Sequence, residues 1–499
     1  MTDVCLILEG TYPYVAGGVS SWVYQLVKEL KDVSFSIVFL GAHRNHSKKM
    51  HYEIPPNVVD FREFYLFDYL IAKDKTAPDK AAAFKTVRKF LEGLRAGNVD
   101  AFPELVRDVG DQGSRALNLH DLTHGYGAWK IIEDLYQGEK EEVSFVDYFW
   151  TWRFLYLPFF SILRLDLPRA RVYHTVSTGY AGVVGAMAKI QRERPLILTE
   201  HGIYTRERKM EIAKADWIYS RAREESKVTE GQNFFKQWWM YLFRACSLLT
   251  YRHADEIITL FGQNRITQIE EGADPEKIRI IPNGVPVRAL ESRPKRENDG
   301  RFRVGFAGRV VPIKDVKTFI RSCRTICQEV PEAEIEILGP LDEDPDYVEE
   351  CRLLAEMQGM GARIHFRGRV DMNEYYPKLD LIVLTSISEA QPLVILEALA
   401  LGIPAVATDV GACREMLYGG SPDDRLIGPA GIITPIFNPE ATARGVVDLA
   451  RNGEKRKRYG QAGMRRVRKY YDMDDFLASY QELYAYYREE YRWPVSVSA

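Results

Sequence analysis

The chain is short of cysteine. Its 499 residues hold six (Cys5, Cys246, Cys323, Cys327, Cys351 and Cys413), widely spaced and without a C-x-x-C pair. That excludes a disulfide scaffold and C-x-x-C redox chemistry, and it suits a reduced compartment. Charge of one sign is missing too: 67 Lys and Arg stand against 70 Asp and Glu, a net −3. Such a balance lacks the basic surface of a general nucleic-acid binder. No apolar run reaches the ~18 uninterrupted residues that span a bilayer. The nearest, residues 149–167, is interrupted by Arg153, Pro158, Arg164 and Asp166 and reads as a buried or interfacial helix pair. The apolar run behind Met1 stops at Glu9, a strand and not a secretory core, so a cytoplasmic placement is expected. G-x-G-x-x-G, P-loop and nucleophile-elbow signatures are also absent.

What is present is globular: 46% hydrophobic and 27% charged. The length implies two or three domains. Short apolar runs bounded by Gly, Pro or Asp recur at 4–10, 35–41, 58–64, 171–176, 196–202, 256–260 and 278–282. A second series runs through 303–308, 334–339, 363–368, 379–386, 405–409 and 431–434. Nearly continuous apolar strands mean burial on both faces, and alternation with helical patterns means βαβ units. The expectation is an α/β chain of two doubly wound domains, 1–290 and 300–470. A charged linker at 294–300 would divide them, and a helical insert at about 65–165 would carry amphipathic pieces at 80–94 and 126–136. Beyond 470, Asp474-Asp475 read as an N-cap. Phe476, Tyr480, Leu483, Tyr484, Tyr487 and Tyr491 then fall on one helical face, expected to pack back on the first domain. Residues 451–470 hold nine Lys or Arg against one Glu, read as a solvated helix face in preference to a lipid contact.

Chemistry concentrates at strand–helix junctions. Glu389 and Glu397 lie eight positions apart where the 379–386 strand gives way to a helix starting near Pro392. In an open α/β sheet that junction faces the ligand crevice, where two carboxylates can grip the hydroxyls of a sugar and a ribose. Gly308 and Arg309 end the 303–308 strand, and Lys314 follows five residues on. Arg as a planar fork and Lys as a point charge can meet both phosphates of a nucleotide leaving group, most strongly as it gains charge. Gly17-Gly18, ahead of a helical pattern, let backbone amides approach a diphosphate. His201 ends the 196–202 strand beside Gly202 and could bond a sugar hydroxyl, whereas His174 reads as packed in its strand end. Asp342-Glu343-Asp344 matches a metal-binding D-x-D but reads as a solvated turn. His43, His46 and His51, and His120 with His124, lack companions that would complete a metal site. Cys323 and Cys327 share a helix face and read as core.

In this order, Gly17-Gly18, His201, Arg309, Lys314, Glu389 and Glu397 resemble the family-four retaining glycosyltransferases, whose E-x7-E signature the last two supply. The resemblance covers residues 1–30, 170–285 and 300–470. The stretches 8–22, 201–208 and 386–392 resemble, more narrowly, the enzymes of bacterial Pel-type exopolysaccharide synthesis. It implies the GT-B fold, two Rossmann-like domains facing a central cleft. It further implies transfer of a hexose, with retention, from a UDP-sugar (UDP-glucose or UDP-N-acetylhexosamine) to a growing polysaccharide, with no metal or other cofactor. Inner-membrane synthase or export subunits would be partners, the chain being cytoplasmic or peripheral at that membrane. By resemblance, Arg309 and Lys314 bind the diphosphate and Glu397 the ribose. Glu389 faces the hexose and His201 the reacting centre. Gly17, Gly18, Gly308 and the backbone of Ala390, Gln391, Leu393 and Val394 complete the donor site. Where the family often has Gly-Phe-Gly after the first Glu, this chain has Ala390-Gln391-Pro392, and Pro392 has no N–H to donate. Hexose, acceptor and base stay open. So do two other readings, a non-catalytic nucleotide-sugar-binding or scaffold subunit and a starch- or sucrose-synthase-like enzyme.

Overall fold

Each apolar run forms a parallel or edge strand of one of two sheets. The structure is a computed structural model describing residues 1–44, 49–68, 80–110, 117–139, 143–215, 234–291 and 299–490. It divides into two compact units. The first comprises Met1–Thr259, Arg265–Arg279 and Tyr480–Ala499, and the second Leu260–Asn264 and Ile280–Ser479. The main division therefore falls at Arg279, ahead of the linker stretch. Residues 294–298 of that stretch, like His46 and Tyr491, lie outside the described residues.

The first unit holds β1 (Thr2–Glu9), β2 (Phe35–Gly41), β3 (Val58–Tyr65), β4 (Ala170–Thr175), β5 (Leu196–Glu200), β6 (Glu256–Thr259) and β7 (Ile278–Ile280). Their order is β3-β2-β1-β4-β5-β6-β7, parallel from β3 to β6. Cys5 to Leu8 of β1 are all fully buried, so both faces of the strand are covered. One core joins this sheet to the helical insert, where Phe90, Trp152, Phe159 and Phe160 pack with Val183 and Leu196. The expected helix pair at 149–167 is a single helix, Phe145–Ile162, that runs through Pro158. Phe159 stacks on Phe90 with ring centroids 5.5 Å apart. Burial around this helix outweighs the one backbone bond that proline removes. Among the described residues no helix is long and apolar enough to cross a membrane.

The second unit holds β8 (Phe302–Ala307), β9 (Ala333–Leu338), β10 (Ile364–Gly368), β11 (Leu381–Leu384), β12 (Ala405–Thr408) and β13 (Gly431–Thr434). All are parallel, in the order β10-β9-β8-β11-β12-β13. Leu381 and Val383 enter one core while Ile382 and Leu384 enter the other, the period of two of a strand covered on both faces. Arg466, inside the basic run, departs from the expected solvated face. It is fully buried, 2.6 Å from Asp424 Oδ1, and donates to the carbonyls of Leu417 and Gly428. The helix Met473–Ala485 is capped by Asp472, whose carboxylate accepts from the Asp474 N–H, and not by Asp474 or Asp475.

Strand order reverses between β1 and β4 in the first sheet and between β8 and β11 in the second. At such switch points the carboxyl ends of the strands diverge and leave a crevice.

Candidate functional site

At the second switch point the chain crosses itself tightly. Gly308, just past β8, has φ +155°, and a Cβ on Gly339 would lie 2.0 Å from the Gly308 carbonyl oxygen. The turn Pro312–Lys314 follows, and Asp315 closes it in the left-handed region at φ +45°. Two bonds stitch this turn to the segment after β11. Thr385 Oγ1 donates to the Asp315 carbonyl at 2.9 Å, and the Ile387 N–H donates to the Ile313 carbonyl at 2.9 Å.

The stitching brings Lys314 Nζ onto Glu389 Oε1, and Ser386 Oγ donates to the same oxygen at 2.6 Å. The pair is largely withdrawn from water, with side chains 20% and 12% exposed for Lys314 and Glu389. The backbone of Glu389 is clamped as well. Gly411, at φ +51°, lies where a Cβ would be 2.2 Å from the Glu389 carbonyl oxygen, and Ala412 N–H donates to the Ala390 carbonyl at 2.8 Å. Gln391 turns inward, its Oε1 accepting from the Asn283 N–H at 2.7 Å. Pro392 then caps the helix Leu393–Ala400. Among the described residues no acceptor meets the N–H groups of Leu393 and Val394, the orphan donors of a first helical turn. One turn on, Glu397 Oε2 accepts from the Tyr376 hydroxyl at 2.6 Å. Arg309, 46% exposed, pairs with Glu343 at 2.8 Å. Lys314 and Glu389 are thus in contact, while Arg309 and Glu397 are held by partners of their own. In the acidic loop Asp344 caps the helix Pro345–Met357.

In the first unit Gly17 caps the helix Gly18–Glu29 with extended backbone, φ 172°. Among the described residues a Cβ at Gly17 or Gly18 would meet nothing within 4 Å, so their packing does not require glycine there. Trp22 on that helix sits edge-on to His201, ring centroids 4.9 Å apart. Among the described residues neither ring nitrogen of His201 has a partner, and burial lowers its pKa to about 4. Behind it His174 bonds the Tyr484 hydroxyl at 2.7 Å and Thr199 Oγ1 at 2.9 Å. Burial holds His174 at about 3.

Two glutamates escaped the sequence reading. Glu9, the last residue of β1, accepts from the Ala181 N–H at 3.2 Å and the Tyr204 hydroxyl at 3.1 Å. It therefore sits on the N-terminus of the helix Tyr180–Arg192. Glu200, ending β5, accepts from Tyr251 at 2.6 Å and Gln268 at 2.8 Å. Burial raises the pKa of both. The available signal was the acid closing each apolar strand run. His43 meets Asp68 at 3.1 Å, and His120 stacks on His124.

Cations and free amides at one switch point can bind an anion, and carboxylates beside them can accept from hydroxyls. Residues 2–276, more than half of the chain, match the family described as Domain of unknown function (DUF3492). The chain belongs to that family. Residues 287–466 match Glycosyl transferases group 1, so the second unit carries a domain of that kind. The D-inositol 3-phosphate glycosyltransferase of Streptomyces coelicolor is 26% identical over 271 residues, 49% of this chain and 55% of that one. The chain spans about half the length of the curated relatives it matches. Anabaena HepE, solved with UDP and glucose, is similar in fold at a TM-score of 0.57 and 15% identity over 97% of this chain and 99% of that one. Sucrose-phosphate synthase from Thermosynechococcus elongatus is similar at 0.57 and 16%, over 96% and 98%. The fold is of the GT-B type.

Proposed function

We propose that the chain is a retaining glycosyltransferase. It would move a hexose from a UDP-sugar, UDP-glucose or UDP-N-acetylhexosamine, to a growing polysaccharide, as PelF does in bacterial Pel exopolysaccharide synthesis. The observation that carries this reading is the Lys314–Glu389–Ser386 contact at the β8/β11 switch point. The group 1 glycosyl transferase match over the same unit supports it. A neighbour of the same fold solved with UDP and glucose supports the choice of uridine.

In this mechanism the bond from the anomeric carbon to the β-phosphate oxygen breaks, and its electron pair stays on that oxygen. Lys314, Arg309 and the Leu393 and Val394 amides neutralise the growing charge, and the reading calls for no metal. The acceptor hydroxyl adds to the same face of the sugar and gives its proton to the departing phosphate oxygen. Glu389, fixed by Lys314 and Ser386, accepts from hexose hydroxyls. Glu397 accepts from the ribose. His201, neutral at working pH, bonds a sugar hydroxyl, and Gly17-Gly18 let backbone amides approach the diphosphate. The enzyme would work in the cytoplasm beside inner-membrane synthase or export subunits.

The test is a donor panel with the purified chain, reading release of UDP and transfer to oligosaccharide. Glu389→Ala should fold and abolish both. Binding of a UDP-sugar with neither transfer nor hydrolysis would assign a scaffold role instead.

A further inference from the structure

Glu397 is held by a buried tyrosine. Tyr376, in the 3-10 turn Tyr376–Lys378 that precedes β11, is 1% exposed. Its hydroxyl donates to Glu397 Oε2 at 2.6 Å, a short charge-assisted bond. The same hydroxyl lies 3.4 Å from the carbonyl oxygen of Val394, in the first turn of the helix that carries Glu397. Burial and the adjacent carboxylate keep the phenol protonated, so it stays a donor at every working pH. A glutamate on a helix has three rotatable bonds before its carboxylate, and here one oxygen is bonded from behind by a ring packed within the core.

We propose that Tyr376 is a positioning residue for recognition of the nucleotide ribose. By fixing Oε2 it sets the plane of the Glu397 carboxylate, so that a vicinal diol can donate to it in one register. It also ties that plane to the helical turn whose Leu393 and Val394 amides face the phosphates. The inference rests on the donor-site reading above and adds a residue to it. Tyr376 touches no substrate; it acts through Glu397.

The experiment is calorimetry with UDP and 2′-deoxy-UDP, which needs no turnover. The unsubstituted chain should favour UDP by roughly tenfold, the worth of one hydrogen bond to a charged group. Tyr376→Phe keeps the ring and removes only the hydroxyl. It should shrink that preference to about twofold, mostly by weakening UDP, with 2′-deoxy-UDP little changed. A merely structural role would weaken both nucleotides alike and leave their ratio intact; that result overturns the inference while the donor site stands. Failure of the unsubstituted chain to bind UDP overturns both. If Tyr376→Phe does not melt cooperatively, Glu397→Asp answers in its place. It keeps the charge but draws the carboxylate back from the hydroxyl, and an unchanged ratio there refutes the proposal.

Discussion

Lys314→Met removes one charge from the site and keeps most of the aliphatic stem. Its effect on stability and its effect on transfer can be worked out separately. Losing one member of a fully buried ion pair costs about 3–5 kcal/mol. Here the side chains retain 20% and 12% exposure and Ser386 still donates to Glu389, so about 2 kcal/mol is expected. For a unit of this size that lowers the melting temperature by about 4–8 °C. Transfer should suffer more. A preorganised cation aimed at charge developing on a leaving group is worth about 3–4 kcal/mol, or ~10²–10³ in kcat. Initial-rate release of UDP, checked by single turnover, measures this. The double variant Lys314→Met/Glu389→Gln separates the roles. It removes both charges, so much of the melting temperature should return while transfer does not. If Lys314→Met keeps kcat within about threefold, or the double variant regains transfer, the pair is only a structural contact and the mechanism is wrong.

Gly17→Ala should leave the melting curve unchanged, because a Cβ there meets nothing within 4 Å among the described residues, and should lower transfer by about tenfold or more; full activity would remove Gly17 from the donor site. Arg466→Met breaks a fully buried pair with Asp424 and should cost about 3–5 kcal/mol, on the order of 10 °C in a melt, and a shift under about 2 °C would contradict the burial. His174 and His201, held by burial at about 3 and about 4, take up protons more readily when unfolded. Stability is therefore full above the ordinary histidine value of ~6.5 and lost as pH falls from there toward 4. Melts between pH 7 and 4.5 should show this slope and show it reduced in His201→Gln; identical slopes would show that His201 is not buried neutral.

The sequence made every strand legible because a buried parallel strand is continuously apolar, a signal that survives without knowledge of partners. Glu389, Lys314 and their junctions were legible for the same reason, since strand ends mark the crevice. What escaped depends on distant pairing. Tyr376 finds Glu397 across 21 positions, Arg466 finds Asp424 across 42 and Glu9 finds Ala181 across 172, and no local period encodes such contacts. The strand expected at 379–386 is shorter, Leu381–Leu384, because Thr385 and Ser386 leave the ladder to bond the Lys314 turn and Glu389. Pro158 misled in the opposite sense. The rule that proline ends a helix is local, and the aromatic core around residues 152–160 overrides it.

Glu9 gives the two sheets different fates. In each, the helix beyond the reversal of strand order aims its first amides at the divergence of the strands. In the first sheet a carboxylate of the chain already rests on the Ala181 amide, at a glycine, Gly179, where any Cβ would collide with it. A phosphate arriving there would meet an oxygen in its place and a like charge whenever Glu9 is ionised. The scaffold repeats one geometry twice, and a single acidic side chain sets the two halves apart: Glu9 already occupies an amide of the first helix, whereas among the described residues nothing occupies those of Leu393 and Val394.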